Sequence, residues 1–135
     1  MSVFVDTSAF LALFDADDAG HERIRAQWTD LVHADSPLWC TSYVLVETCA
    51  LLQSRLGLAA LRLFDEDVLP VIAVHWVAQE EHREGMAAVL AAGRKNLSLV
   101  DCVSFAVMRA RGTRTALTLD RHFVAQGFEI VPATG

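Results

Sequence analysis

Residues 98–123, SLVDCVSFAVMRARGTRTALTLDRHF, decide how this chain is read. Ser98 has the character of a helix N-cap, and Asp101 stands three positions on, the spacing of a capping box. Cys102, Phe105, Ala106 and Met108 then supply an apolar face at mixed three- and four-residue spacing. Arg109 and Arg111 suit the negative end of the helix dipole, and Gly112 closes the helix. Thr115–Leu119, TALTL, is a short β-prone run that delivers Asp120 at its carboxyl end. One acid therefore opens a helix and another follows a strand. Open parallel α/β sheets bind their ligands at the carboxyl ends of strands, so the pair marks a place for chemistry.

Outward from this stretch the chain repeats the same grammar. Ser2–Val5 is an apolar run ending in Asp6, which predicts a buried central strand. Thr7 or Ser8 then caps the helix AFLALF. A second helix is expected from about Asp18 to Ala34, with Ile24, Trp28, Leu31 and Val32 on one face. Leu38–Thr41 reads as a strand, and Ser42 as the cap of YVLVETCALLQSRLG, which Gly57 ends. Leu58–Leu69 reads as a helix carrying a solvated acidic patch, Asp65, Glu66 and Asp67. Pro70 opens the strand VIAVHW. Val77–Ala92 is a helix whose Glu80, Glu81 and Glu84 read as surface charge in its first half. A short helix over Asp120–Gln126, Gly127 and a last strand Phe128–Val131 complete the chain. The order β-α-α-β-α-α-β-α-α-β-α-β predicts a three-layer α/β/α sandwich around a central, mainly parallel sheet.

A length of 135 residues predicts a single domain, and 53% apolar residues suit a packed core. Asp6, Glu47 and Asp101 interrupt the longest apolar runs, so no membrane span is expected. MSVFVD has no basic segment before an apolar one, which speaks against a secretory leader. Cys40, Cys49 and Cys102 are odd in number and lack close metal spacing. They read as buried reduced thiols of a cytoplasmic protein. A net charge of −6 disfavours broad, sequence-independent binding to nucleic acid, although Arg109, Arg111, Arg114 and Arg121, with Arg94 and Lys95, form a local basic cluster.

Glu47 is conspicuous as the acid of an otherwise apolar helical run, where a carboxylate must be paired, protonated, metal-bound or on a wet stripe. Asp6, Asp101 and Asp120 each have a local purpose too, because acids at helix starts contribute about 0.5–2 kcal/mol through capping and the dipole. In a parallel sandwich, however, all four face one edge of the sheet. Two carboxylates about 5 Å apart repel by roughly 3 kcal/mol at an effective dielectric near 20. Hard oxygen-binding cations relieve that repulsion, with Mg²⁺ or Mn²⁺ the usual choice for carboxylate and water ligands. The chain has no GxSxG, no Cys–His signature and no glycine-rich phosphate loop to support another chemistry.

Three segments, VDTSAFLALFDADDAGHE, YVLVETCALLQSRLG and SLVDCVSFAVMRARGTRTALTLDRHF, together resemble a PIN domain, specifically the VapC-type toxins of bacterial toxin–antitoxin pairs. The likeness spans essentially the whole chain. It implies an Mg²⁺- or Mn²⁺-dependent endoribonuclease that cuts RNA, with tRNA or rRNA loops as the expected targets. Its acidic quartet would be Asp6, Glu47, Asp101 and Asp120, binding the metal and carrying catalysis. Thr7, Ser8 and Thr118 match the hydroxyls beside those acids. Val100 departs from the family, where a threonine is common. The resemblance further implies a homodimer and a cognate VapB-type antitoxin. Arg109, Arg114 and Arg121 are the candidates to hold RNA. A PIN nuclease of RNA processing and a metal-dependent phosphoryl-transfer enzyme are the alternatives. The second is disfavoured because Ser8 stands where a haloacid-dehalogenase pattern needs an aspartate.

Overall fold

The computed structural model describes residues 1–133. Five strands and seven helices alternate among them: β1 (Val3–Val5), α1 (Thr7–Phe14), α2 (His21–His33), β2 (Leu38–Thr41), α3 (Ser42–Leu56), α4 (Leu58–Leu63), β3 (Ala73–His75), α5 (Gln79–Ala92), α6 (Leu99–Arg111), β4 (Thr115–Leu117), α7 (His122–Ala125) and β5 (Glu129–Val131). The strands form one sheet in the order β3–β2–β1–β4–β5, and every pairing is parallel. Helices cover both faces, which makes the α/β/α sandwich. The three inner strands are buried throughout, whereas β3 and β5 are partly exposed at the edges. This is the burial expected of a parallel sheet covered on both sides.

The strand order has one reversal. From β1 the chain builds outward through β2 and β3, then returns to the other side of β1 for β4 and β5. β1 and β4 therefore flank the topological switch point, where parallel α/β sheets open a crevice at their carboxyl ends. Their register pairs Val5 with Leu117. The residues that follow, Asp6 and Thr118, are thereby set side by side. Aromatic rings pack edge to face along the layers: Phe4 of β1 lies 5.0 Å from Trp39 of β2, Phe10 of α1 5.2 Å from Phe64, and Phe105 of α6 4.9 Å from Phe123 of α7, while Phe4 and Phe123, 6.0 Å apart, join the sheet to α7. Cys40 and Cys102 are buried and all three thiols are free. Burial pushes the Cys40 thiol up to about 12, so it is an inert core residue.

Several boundaries differ from the sequence reading, each for a local reason. Asp6, not Thr7 or Ser8, caps α1. Its N–H is still tied to the Leu117 carbonyl at 3.0 Å, so it is the last extended residue and Thr7 is already helical. Thr41, not Ser42, caps α3, its hydroxyl accepting from the Val44 N–H at 3.2 Å. Ser42 is left to accept from the Val77 N–H at 3.0 Å, pinning α3 to the segment after β3. The helix expected over Leu58–Leu69 ends at Leu63, followed by a wide π-helical turn, Phe64–Val68, that buries both Phe64 and Val68. Pro70 opens no strand. It sits in a 3₁₀ turn, Leu69–Val71, where its missing N–H is harmless, and β3 begins at Ala73. β4 ends two residues early, at Leu117. α2 starts at His21, after Asp18 Oδ1 accepts from the Gly20 N–H at 2.7 Å. Glu81 is more than surface charge: it accepts from the Ala78 N–H at 2.8 Å and pairs with His75 at 3.0 Å. Those two partners, His75 through hydrogen bond and charge, outweigh a desolvation that works the other way and hold the Glu81 carboxyl below the usual range.

α5 and α6 pack closely because residue 85 is glycine. A Cβ there would lie 2.4 Å from Val103 Cγ2 and 3.3 Å from the Val103 backbone nitrogen. Valine in a helix has one strongly preferred rotamer, so it cannot step aside freely. Gly85→Leu should therefore lower stability by about 1–3 kcal/mol through overpacking. The urea midpoint measures this, and an unchanged midpoint would show that the helices separate without penalty.

Candidate active site

The site is built on the switch point. Asp6 ends the central strand and is only 5% exposed. Its Oδ2 accepts from the Ser8 hydroxyl at 2.8 Å, from the Thr118 hydroxyl at 3.0 Å and from the Ser8 N–H at 3.4 Å. Each hydroxyl directs its single proton at Asp6 and uses its oxygen to accept a main-chain donor. Ser8 accepts from the Leu119 N–H at 3.0 Å, and Thr118 from the Asp120 N–H at 2.9 Å. The start of α1 and the loop after β4 are thus stitched together through one carboxylate oxygen.

Asp101 stands at the third position of α6, held by the capping box expected from sequence. The Ser98 hydroxyl accepts from the Asp101 N–H at 3.0 Å, and Asp101 Oδ2 accepts from the Ser98 N–H at 3.1 Å. Asp120 follows β4 and uses Oδ1 to accept from the His122 N–H at 2.9 Å, an Asx turn that delays α7 until His122. His122 Nδ1 approaches the same oxygen to 3.0 Å, but off the line a hydrogen bond needs. It is a buried ring nitrogen with no partner. The Thr7 hydroxyl is likewise buried and unpartnered.

Asp101, Asp120 and His122 each bring one ligand atom into a group spanning no more than 4.8 Å. Desolvation pushes the Asp6 carboxyl up to about 6, with the Asp101 and Asp120 charges adding to it and the Ser8 and Thr118 hydroxyls opposing. Asp101 is raised for the same leading reason, burial, with Asp120 adding and the Ser98 N–H opposing. Two carboxylates and an imidazole whose buried Nδ1 has no hydrogen-bond partner fit a divalent cation.

Other sequence candidates fall differently. Glu47 is half-buried on α3 and stands outside the compact group. Arg109 and Arg114 lie at the opposite edge, at the end of α6 and before β4. There Arg109 donates to Gln126 at 2.7 Å and covers the Phe128 ring at 5.3 Å. Arg121, exposed, adjoins Asp120. His122 was not singled out from sequence. Its signal was the Asp120-Arg121-His122 spacing, which a turn after a strand folds onto one point.

A family profile described as PIN domain matches residues 3–129. The chain belongs to the PIN-domain family. This PIN domain is 35% identical over 133 residues to the 23S rRNA-specific endonuclease VapC20 of Mycobacterium tuberculosis, covering 93% of the chain and 95% of that relative. The crystal structure of VapC20, described there as a sarcin–ricin loop cleaving toxin, matches with a TM-score of 0.81 at 33% identity, over 94% of this chain and 96% of that one. FitAcB from Neisseria gonorrhoeae (TM-score 0.68, 14% identity, 95% of each chain) shares the fold. So does PAE2754 from Pyrobaculum aerophilum (TM-score 0.62, 20% identity, 97% and 90% coverage). The likeness to VapC20 over nearly the whole length places this PIN domain among the VapC-type toxins. No helix of its described residues is long and apolar enough to cross a membrane.

Because the folded-state value of Asp6 lies above its ordinary 3.8, folding favours the protonated carboxyl. That contribution is whole below about pH 4 and is lost as pH rises through about 6. In metal-free protein, Asp6→Asn should abolish a fall in stability of about 2–3 kcal/mol between pH 4 and 8. Urea unfolding across that range reads it directly, and parallel pH profiles for the two proteins would contradict the burial argument.

Proposed function

We propose that this PIN domain is a toxin endoribonuclease that hydrolyses a phosphodiester in a loop of ribosomal RNA. The observation that carries the reading is the group formed by Asp101, Asp120 and His122, beside buried Asp6, at the switch point of a PIN fold. The relative that shares this fold at 35% identity bears the name of a 23S rRNA-specific endonuclease. Loops expose unpaired base edges, which is where RNA sequence is read.

Asp101, Asp120 and His122 would hold the cation, with Asp6 and Glu47 as the further carboxylates of the site. Bound there, a divalent cation polarises a phosphoryl oxygen and makes water a better nucleophile at neutral pH. The carboxylates and imidazole suit Mn²⁺ as well as Mg²⁺, because nitrogen donors favour the later, softer ion. Asp101 is held ready by its capping box and Asp6 by two hydroxyls, so little rearrangement is needed on binding. Thr7 offers a free buried hydroxyl for orientation, and Arg121 a guanidinium for the RNA backbone. Residues 1–135 act as one domain, a homodimer in the cytoplasm, blocked by a cognate VapB-type antitoxin.

Purified protein should cut ribosomal RNA at discrete positions in Mn²⁺ or Mg²⁺ and not in chelator, with Asp6→Asn and Asp101→Asn about 100-fold slower or worse. His122→Ala should weaken Mn²⁺ binding about tenfold, and Mg²⁺ binding less. Titration followed by Mn²⁺ electron spin resonance measures the second effect without any cleavage. Cutting that survives chelation would defeat the metal reading.

A further inference from the structure

A cavity of about 290 Å³ opens beside the carboxylates, between α1, the turn that follows it and the end of α3. It is continuous with the site, because Ser8 and Leu119 line it. Ser8 is hydrogen-bonded to Asp6, and Leu119 donates its N–H to Ser8. Leu119 is backed by buried Gly20, where a Cβ would lie only 2.4 Å from Leu119 Cδ1. Leu11 and Leu56 make the cavity's lining largely apolar, and its charged groups are Asp15, Asp18 and Arg55.

We propose that this cavity receives an unpaired guanine of the RNA, adjoining the scissile phosphate. The proposal rests on the nuclease reading above for its substrate class. The leucines offer apolar surface to the faces of a planar ring. The carboxylates can only accept hydrogen bonds and the guanidinium can only donate them. Asp15 Oδ1 is engaged by the Asp17 N–H at 3.0 Å and Asp18 Oδ1 by the Gly20 N–H at 2.7 Å. Both carboxylates are thus fixed by Asx turns, each with an Oδ2 that no described residue engages. Arg55 is exposed and makes no ion pair among the described residues.

One base edge suits that set. The Watson–Crick edge of guanine presents two adjacent donors, N1–H and the N2 amine, beside one acceptor, O6. The donors match the carboxylates and O6 matches Arg55. Adenine has one amine beside a bare ring nitrogen, cytosine one amine beside two acceptors, and uracil one N–H between two carbonyls. Each of these has a single donor group on that edge, so one of the two carboxylates is left without a donor or faces an acceptor. A well-formed paired contact of this kind separates right from wrong bases by about tenfold or more.

The test is binding of fluorescent tetranucleotides that differ at one inner position, carrying guanine, inosine, adenine, cytosine or uracil, in chelator so that nothing is cut. Polarisation should show guanine bound about tenfold more tightly than adenine, with inosine, which lacks the N2 amine, between them. The double variant Asp15→Asn, Asp18→Asn should bring guanine and adenine within about twofold. Arg55→Ala, on an exposed side chain, should weaken guanine selectively without touching either turn. Equal affinity for all five bases, no binding, or a preference that survives both variants overturns the proposal. Cleavage of ribosomal RNA is mapped alongside. Cuts with no adjoining guanine overturn the cavity assignment and leave the nuclease reading standing. Guanine-selective binding with no cutting in any divalent cation supports the cavity and sinks the nuclease reading.

Discussion

A carboxylate removed from water at the end of the central strand is the constraint on which this molecule turns. Asp6 cannot stay charged there without help. Two hydroxyls and a main-chain N–H provide part of it, and each of those donors belongs to an element that must then stay in place. The Ser8 hydroxyl fixes the first turn of α1, and the Thr118 hydroxyl fixes the loop after β4. Through their oxygens both go on to bind the loop that carries Asp120. A single buried charge therefore positions two of the elements that build the site.

That help is incomplete, and the shortfall is informative. The Asp6 and Asp101 carboxyls remain above their usual range because burial outweighs the hydrogen bonds made to them, and each feels Asp120 as a like charge. His122 contributes a favourable charge to Asp101, yet its ring nitrogen has no hydrogen-bond partner. An arrangement that concentrates negative charge and leaves a lone nitrogen facing it is poorly balanced by itself. A divalent cation, as proposed for this site, would balance it. Stability and function pull in opposite directions here, as they commonly do where a site is preorganised.

Much of this was legible in the residues. The capping box of Ser98 and Asp101 is a local device, so spacing alone revealed it. The parallel sheet followed from alternation and from apolar strands with no polar face. What escaped was decided across the sheet. Asp6 caps α1 because its N–H is claimed by Leu117, more than a hundred residues away. Thr41 displaces Ser42 because Ser42 is needed by Val77. The π-helical turn after α4 serves the burial of Phe64 and Val68, which no helical period announces. His122 carried only a faint signal for the same reason: a histidine two residues past an acid is ordinary until a turn folds it back. Glu47 shows the converse, since its setting in an apolar run was plain while its place outside the compact group of ligand atoms was not.

The bare backbone at residue 85 has a consequence for how chains of this kind are judged. Gly85 meets α6 at Val103 and Leu99, on the same turn that carries Asp101 but away from it. Side-chain bulk at that point would shift the turn while leaving every acid in the sequence. Counting acids is the natural way to separate working toxins from decayed ones. By that count such a chain passes as intact, although Asp101 has been moved from behind. The inventory of acids and the glycine that seats one of them are separate requirements, and only the first is visible to a motif.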